Sequence, residues 1–210
     1  MTKIALFAGG ELSYYQTDFD YYVGIDRGNL FLLEHALPIE MAIGDFDSVS
    51  LQEFTNIKEK AKKTIVSPAE KNDTDTELAL KSVFALYPKA QITIFGAFGG
   101  RLDHLMSNLF LPSDPELAPF MEQIELKDGQ NVISFKPAGS HLVEENPDMR
   151  YISFMTDGDQ DLTITGAKYD LNEGNFFKKK IYSSNEFIGQ AIKVTVTSGY
   201  VIIIQSKDRR

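Results

Sequence analysis

The chain contains no cysteine. That excludes a disulfide framework, a thiolate zinc site and a cysteine nucleophile. Basic charge is scarce: 21 lysines and arginines stand against 30 aspartates and glutamates, a formal net charge of −9. A nucleic-acid binder would show a basic face. Only Lys178-Lys179-Lys180 forms a basic run, and three lysines are ordinarily a solvated strand edge or turn. Nucleic acid is therefore not an expected partner; metal ions or a cationic small molecule suit the acidic balance better. No apolar stretch approaches the roughly 18 residues that mark a membrane span. The apolar run within Met1 to Gly10 is too short for a signal peptide. The expectation is a cytoplasmic protein with no membrane partner. Several motifs are missing as well. There is no Gly-x-x-x-x-Gly-Lys-Ser/Thr loop, no kinase glycine loop with His-Arg-Asp, and no Gly-x-Ser-x-Gly elbow. Neither Gly9-Gly10 nor the stretch from Gly96 to Gly100 spells the full dinucleotide fingerprint.

What remains is an ordered chain of 210 residues, 43% hydrophobic and 24% charged, able to fill a packed core. Apolar runs at Lys3 to Phe7, Tyr21 to Ile25, Met41 to Ile43, Thr64 to Val66 and Gln91 to Phe95 read as buried strands. Helical spacing falls between them, over residues 29–36 and 51–62, through Leu78 to Leu86, and from Leu105 to Leu111. Strands alternating with helices predict a mainly parallel, Rossmann-like α/β domain over residues 1–127. Beyond it the texture changes to short strands: Ile133 to Phe135, Tyr151 to Met155, Leu162 to Thr165, Ala191 to Val196 and Tyr200 to Ile204. Turn residues such as Asp157-Gly158-Asp159 and Ser198-Gly199 separate them. Residues 128–210 are expected to form a smaller all-β domain, a sandwich or barrel, of which the sandwich is preferred.

In open α/β sheets ligands bind beyond the carboxyl ends of the strands. The loops there carry Gly9-Gly10, Asp26-Arg27, Asp45-Phe46-Asp47-Ser48, Asp73 with Asp75, and Arg101, Asp103 and His104. If the segment after Ile43 stays extended, Asp45 and Asp47 share one side, roughly 6.5 Å apart at Cα. Such a pair repels unless a cation lies between, and hard divalent ions prefer carboxylate oxygen. The competing reading is a surface turn, since Gly, Asp and Ser are turn formers. Asp73 or Thr74 is a candidate N-cap, and acids in a first turn suit the helix dipole. His35 and His141 have no evident partners and are not taken as ligands. Aspartates with one arginine suit metal-assisted phosphoryl chemistry, in which the metal neutralises phosphate charge and arginine clamps an oxygen pair. Spacing alone leads to a metal-dependent, phosphate-handling α/β enzyme.

Three segments go further. Gly44-Asp45-Phe46-Asp47-Ser48, Lys71-Asn72-Asp73-Thr74-Asp75 with Glu77-Leu78-Ala79-Leu80, and Gly99-Gly100-Arg101-Leu102-Asp103-His104 closely resemble the signature segments of thiamine pyrophosphokinases. Tyr182-Ser183-Ser184-Asn185-Glu186-Phe187 and Gly199-Tyr200-Val201-Ile202-Ile203-Ile204 look like that family's β-domain motifs. Any one segment is weak; five in order, spanning nearly the whole chain, are specific. The resemblance implies transfer of the pyrophosphoryl group of ATP to the hydroxyl of thiamine, giving thiamine diphosphate and AMP. By position, Asp45, Asp47, Asp73 and Asp75 would hold Mg²⁺ and the phosphates. Asp75, with Asp73 as rival, would be the acid nearest the attacking hydroxyl. Asp26, Arg27, Lys71, Arg101, Asp103 and His104 would line the ATP site, with Arg101 and Asp103 also in catalysis. Ser184, Asn185 and Tyr200 would meet thiamine, in a site the family builds between two subunits; a homodimer follows.

Two departures stand out. Asn72 occupies a position where many relatives carry an acid, and the chain has no tryptophan where some relatives place one in register with Tyr200. Two other readings stay open: a pyrophosphokinase for another alcohol, such as a pterin, and a non-catalytic dimer that senses nucleotide or metal.

Overall fold

The computed structural model describes residues 1–68, 72–158 and 161–209. The chain divides into two compact units, Met1–Gly129 and Gln130–Arg210.

In the first unit the strands are β1 (Lys3–Phe7), β2 (Tyr21–Ile25), β3 (Ile39–Gly44), β4 (Ala61–Val66), β5 (Gln91–Phe95) and β6 (Ile124–Lys127). The helices are α1 (Gly28–Glu34), α2 (Leu51–Lys60), α3 (Asp75–Leu86) and α4 (Leu102–Leu109). The strands lie side by side as β6-β5-β1-β2-β3-β4, and every pairing is parallel. The central strands are apolar on both faces, as a parallel sheet covered on both sides requires. Ala5 and Phe7 pack on one face with Leu32 of α1, Ile57 of α2 and the aromatic residues of the 12–19 segment. Ile4 and Leu6 alternate to the other face and are fully buried. That face carries α3, which packs against β2 and β3 through the side bearing Ala79, Leu80 and Val83. β4 is the polar edge, with Lys62 and Lys63 exposed.

The chain leaves β1 toward β2, β3 and β4, then returns to β5 on the other flank of β1. The order reverses between β1 and β5, and their exit loops meet there: Gly10 N–H donates to Gly96 O at 3.0 Å. A Cβ on Gly10 would sit 2.3 Å from that oxygen. The bare backbone at Gly10 thus serves loop against loop.

Boundaries differ from sequence expectation in small, explicable ways. Helix α2 stops at Lys60, since the chain passes directly into β4. Helix α4 spans Leu102–Leu109, not Leu105 to Leu111, and the next residues form a 3-10 turn at Leu111–Ser113 that contains Pro112. The N-cap of α3 is Thr74, not Asp73: its hydroxyl accepts from Glu77 N–H at 3.3 Å while the Glu77 carboxylate accepts from Thr74 N–H at 2.6 Å. This reciprocal capping box fixes Asp75 as the first helical residue.

The second unit is β-rich. Its strands are β7 (Asn131–Val143), β8 (Tyr151–Thr156), β9 (Leu162–Thr165), β10 (Ile181–Asn185) and β11 (Ile192–Ser206). All pairings are antiparallel, in the order β10-β8-β11-β7, with β9 also on β11. Ser198-Gly199 does not separate two strands. One 15-residue strand runs through it, and the register shifts between Val196 and Tyr200. A bulge of this kind bends a strand. The half before it pairs with β9 and the half after it with β8. Val194 and Val196 from one half and Val201 and Ile203 from the other then share one core with Phe154, Leu162 and Ile164.

Candidate active site

Beyond the carboxyl ends of the parallel strands lies a crevice of about 480 Å³. The loops after β1, β2, β3 and β5 line it, with the starts of α3 and α4. Asp26, Arg27, Asp45, Asp47, Asp73, Asp75, Arg101 and His104 all border this space. Asp103 does not. Lys71 lies outside the described residues.

The geometry redraws the acid pair. Phe46 has φ of 57°, so the chain does not stay extended after β3, and the period-two alternation fails there. Asp47 N–H donates to Asp45 Oδ1 at 3.1 Å, an Asx-type turn. Phe46 turns into the core with 6% exposure. One carboxylate oxygen from each of Asp26, Asp45 and Asp75 comes within 4.8 Å of the others. Asp47 and Asp73, expected among the metal ligands, are outside this trio, and Asp26, expected among the nucleotide contacts, is inside it. Each member is held from behind. Asp26 has φ of 45° and its Oδ1 accepts from Phe46 N–H at 3.3 Å. Asp75 is fixed by the capping box, and its Oδ1 accepts from Ser67 Oγ at 3.2 Å. Left-handed backbone at non-glycine residues is costly and collects at functional sites. Among the described residues it occurs at Asp26, Phe46 and Ser184, and at Ala36, just past the end of α1. Three hard oxygen donors so close together suit a divalent cation such as Mg²⁺.

Asp73 is turned to a different partner. Its Oδ1 accepts from Lys81 Nζ at 3.0 Å, and the same ammonium reaches Asp114 at 2.7 Å and Glu116 at 3.1 Å. Burial works to lower the Lys81 pKa, but the hydrogen bonds to Asp114, Asp73 and Glu116 outweigh it and raise it above the ordinary value. Burial likewise works to raise the Asp114 carboxyl, and the bonds from Lys81 and from the Glu116 N–H overcome it and hold it low. A second depression lies around Lys81, Asp114 and Glu116, and Asn72 borders it, not the crevice.

The basic wall is built from Arg27 and Arg101. Arg27 donates to the Ser48 carbonyl at 3.3 Å, tying the β2 loop to the β3 loop. Arg101 closes its fork on Asp103, Nε to Oδ1 at 3.1 Å and an Nη to Oδ2 at 2.5 Å. The hydrogen bond from Arg101 lowers the Asp103 pKa. Both side chains are largely exposed, and such surface pairs are weak, so the fork can exchange this carboxylate for a phosphate. Asn108 was not foreseen from sequence. It is buried on α4, borders the crevice and donates to Ala97 O at 3.0 Å. Nothing in its sequence neighbourhood marks it.

The β-rich unit has a hollow of about 550 Å³, lined by Tyr169, Asp170, Phe177, Tyr182 and Asn185 among others. Asn185 is buried, and both ends of its amide are used: Oδ1 accepts from Tyr169 N–H at 3.0 Å and Nδ2 donates to Tyr169 O at 2.7 Å. It therefore holds Tyr169 at the rim. Lys168 Nζ already lies 5.5 Å from the Tyr169 ring centre, and Lys179 Nζ 5.4 Å from that of Phe177, so these faces accept cations. Ser184, with φ of 60°, sits in the bulge of β10 and does not border the hollow. Tyr200 departs from expectation. It lies on β11, between β7 and β8, and is 4% exposed, so its ring face is covered within a single chain. Burial, with the nearby Asp157 charge, pushes its hydroxyl up to about 12.

A wholly parallel α/β unit whose switch point gathers acids, joined to a β-rich unit with an aromatic hollow, defines a class suited to phosphate and cation ligands. Comparison with known proteins narrows that class. Sequence models of the thiamin pyrophosphokinase catalytic domain and vitamin B1 binding domain match residues 12–116 and 140–201. The chain is 35% identical to a thiamine pyrophosphokinase of Bacillus subtilis, over 99% of this chain and 100% of that one. It superposes with a TM-score of 0.92 on a thiamin pyrophosphokinase family protein of Enterococcus faecalis, at 42% identity and with 99% and 100% of the two chains covered. For the crystal structure of the B. subtilis thiamine pyrophosphokinase the TM-score is 0.79, at 33% identity, covering 99% and 100%. The chain belongs to the thiamin pyrophosphokinase family.

Proposed function

We propose that this chain transfers the pyrophosphoryl group of ATP to the hydroxyl of thiamine, releasing thiamine diphosphate and AMP. The observation that carries this reading is the convergence of Asp26, Asp45 and Asp75 at the sheet's switch point, in a chain that matches thiamin pyrophosphokinases from end to end. These three carboxylates would hold Mg²⁺, which when bound supplies neutralising charge to phosphate oxygens. Arg27 and Arg101 would neutralise the triphosphate, Arg101 by exchanging Asp103 for a phosphate oxygen pair. Lys71 is assigned to the same task from the sequence. Asp75 would also accept the proton from the attacking hydroxyl; Asp73, bound by Lys81, is the weaker candidate. His104 would shape the ATP pocket.

Thiamine carries a cationic ring, which Tyr169, Phe177 and Tyr182 can face, with Asn185 holding Tyr169 and Ser184 shaping the strand beneath. The reading includes a homodimer that completes the site with a partner's β-rich unit. Helix α4 at the crevice leaves Leu102 70% and Met106 39% exposed, an apolar surface that such a partner would cover. A cytoplasmic location goes with it. Among the described residues no helix is long and apolar enough to cross a membrane.

The test is AMP release from ATP and Mg²⁺, with thiamine, with a pterin alcohol, and with neither. Thiamine-dependent AMP is expected. AMP that depends only on the pterin would transfer the assignment to that substrate. Nucleotide binding without turnover on either would favour a sensing role.

A further inference from the structure

The turn after β2 contains a clamp. Asp26 sits in left-handed backbone, where a non-glycine residue is held only by its surroundings. Two contacts tie it to the β3 strand and its exit. Its N–H donates to Ile43 O at 2.9 Å, and its Oδ1 accepts from Phe46 N–H at 3.3 Å. On the other side, its carbonyl accepts twice from one residue, Asn29: from the backbone N–H at 3.1 Å and from Nδ2 at 3.0 Å. Asn29 is completely buried, and its Oδ1 accepts no hydrogen bond among the described residues.

A buried amide with an unanswered carbonyl is not explained by packing, since an apolar side chain of equal size would fill the space without that cost. The preceding strand makes room for it. A Cβ on Gly24 would lie 2.1 Å from Asn29 Oδ1. Gly24, Asp26 and Asn29 thus form one device: a bare strand position, a left-handed acid and a buried amide that locks the acid's carbonyl.

We propose that Asn29 is a positioning residue for the cation-facing carboxylate of Asp26, acting through the doubly bonded Asp26 carbonyl. The proposal rests on the metal-dependent reading above. Asn29 touches no substrate in this role; it sets where the third oxygen donor stands relative to Asp45 and Asp75. Groups one step behind a metal ligand typically change metal affinity by about 10–100-fold when removed.

Mn²⁺ serves as the probe, with binding to the purified full chain measured by electron paramagnetic resonance without nucleotide. Asn29→Leu keeps the branching at Cγ in a somewhat bulkier side chain and gives up one hydrogen bond. It should weaken Mn²⁺ binding by about tenfold and raise the Mn²⁺ concentration for half-maximal AMP formation, leaving the KM for thiamine unmoved. Asn29→Ser should restore much of the affinity, because a helical serine hydroxyl can donate to a carbonyl three residues back. Should Asn29→Leu fail to fold, Asn29→Ala removes the same donor with no bulkier side chain to place and is expected to act in the same direction. Wild-type Mn²⁺ affinity in a folded Leu variant, a folded Ser variant no better than Leu, or no Mn²⁺ binding by the wild type would each overturn the clamp. Failure of the function reading shows separately, as the absence of thiamine-dependent AMP in wild-type protein that still binds Mn²⁺.

Discussion

The two hollows of this molecule are built on opposite principles. The crevice of the α/β unit is lined by short polar side chains on strand-end loops. Its acids are fixed by left-handed backbone, a capping box and a serine hydroxyl. The hollow of the β-rich unit is lined by aromatic rings on an edge strand and the long loop before it. Its one buried amide holds a tyrosine from behind. The difference follows from the ligands proposed for each. Phosphate chemistry requires charge at fixed positions, and backbone constraint is the stiffest way to fix it. A flat cation needs only aromatic faces, which tolerate sliding. Changes in the crevice should therefore act on turnover, and changes in the hollow on the apparent affinity for one substrate.

The largest expected effect is Asp75→Asn. The amide keeps the size and the bond from Ser67, and it removes both a cation ligand and the proposed proton acceptor. Turnover should fall by about 10²–10⁴-fold, with thermal stability close to wild type because Thr74 and Glu77 still cap α3. Steady-state AMP formation beside a melting curve measures both. Turnover within a few-fold of wild type would remove Asp75 from the chemistry and pass the role to Asp73.

Tyr169→Ala tests the other side of the contrast. Loss of one ring facing a cation should cost about 1–2 kcal/mol in a partly covered site. That corresponds to roughly a tenfold rise in the KM for thiamine, with the KM for ATP and kcat nearly unchanged. An unaltered thiamine KM would show that the aromatic hollow is not the substrate site. An equal fall in kcat would erase the division between the two regions.

Much of the crevice was legible in sequence because parallel α/β topology places every strand-end loop on one edge. Asp26, Asp45, Asp75 and Arg101 could be assigned to that edge from strand order alone. Which acids converge could not. Asp45 and Asp47 follow the alternation rule only if the chain stays extended, and Phe46 leaves it to bury its ring. Asp26 joins the trio through contacts among β2, β3 and α3, elements separated in sequence. The α3 cap was narrowed in sequence to Asp73 or Thr74, and the capping box with Glu77 decides for Thr74, whereas the partner of Asp73, eight residues on at Lys81, carried no signature at all. In the β-rich unit, Ser198-Gly199 imitates a turn, and only the pairing of β11 along β7 on both sides of it shows a bulge. Tyr169 and Phe177 stand outside regular strands, where periodicity has nothing to read.

The smallest effect expected on catalysis distinguishes the crevice from the acids beside it. Lys81 binds Asp73, Asp114 and Glu116, so Lys81→Met leaves three like charges facing one another. Hydrogen bonds to charged groups contribute about 1.5–3 kcal/mol, and a destabilisation near the lower end is expected, since Glu116 is mostly exposed. The pH dependence has a definite sign. Lys81 is raised in the folded chain above its ordinary 10.5, so its contribution is complete below that value and is lost as pH rises past it. Asp114 is held below its ordinary 3.8, so its contribution is present above that value and is lost as pH falls through the folded pKa. The knot should therefore be intact across neutral pH and fail only at the two extremes. In Lys81→Met, Asp114 loses its main hydrogen-bond donor while burial still disfavours its charge, so acid unfolding should begin at higher pH than in the wild type. Turnover at neutral pH should change only a few-fold if Asp73 is outside the chemistry. A loss as deep as that of Asp75→Asn would give Asp73 and its lysine a part in the chemistry.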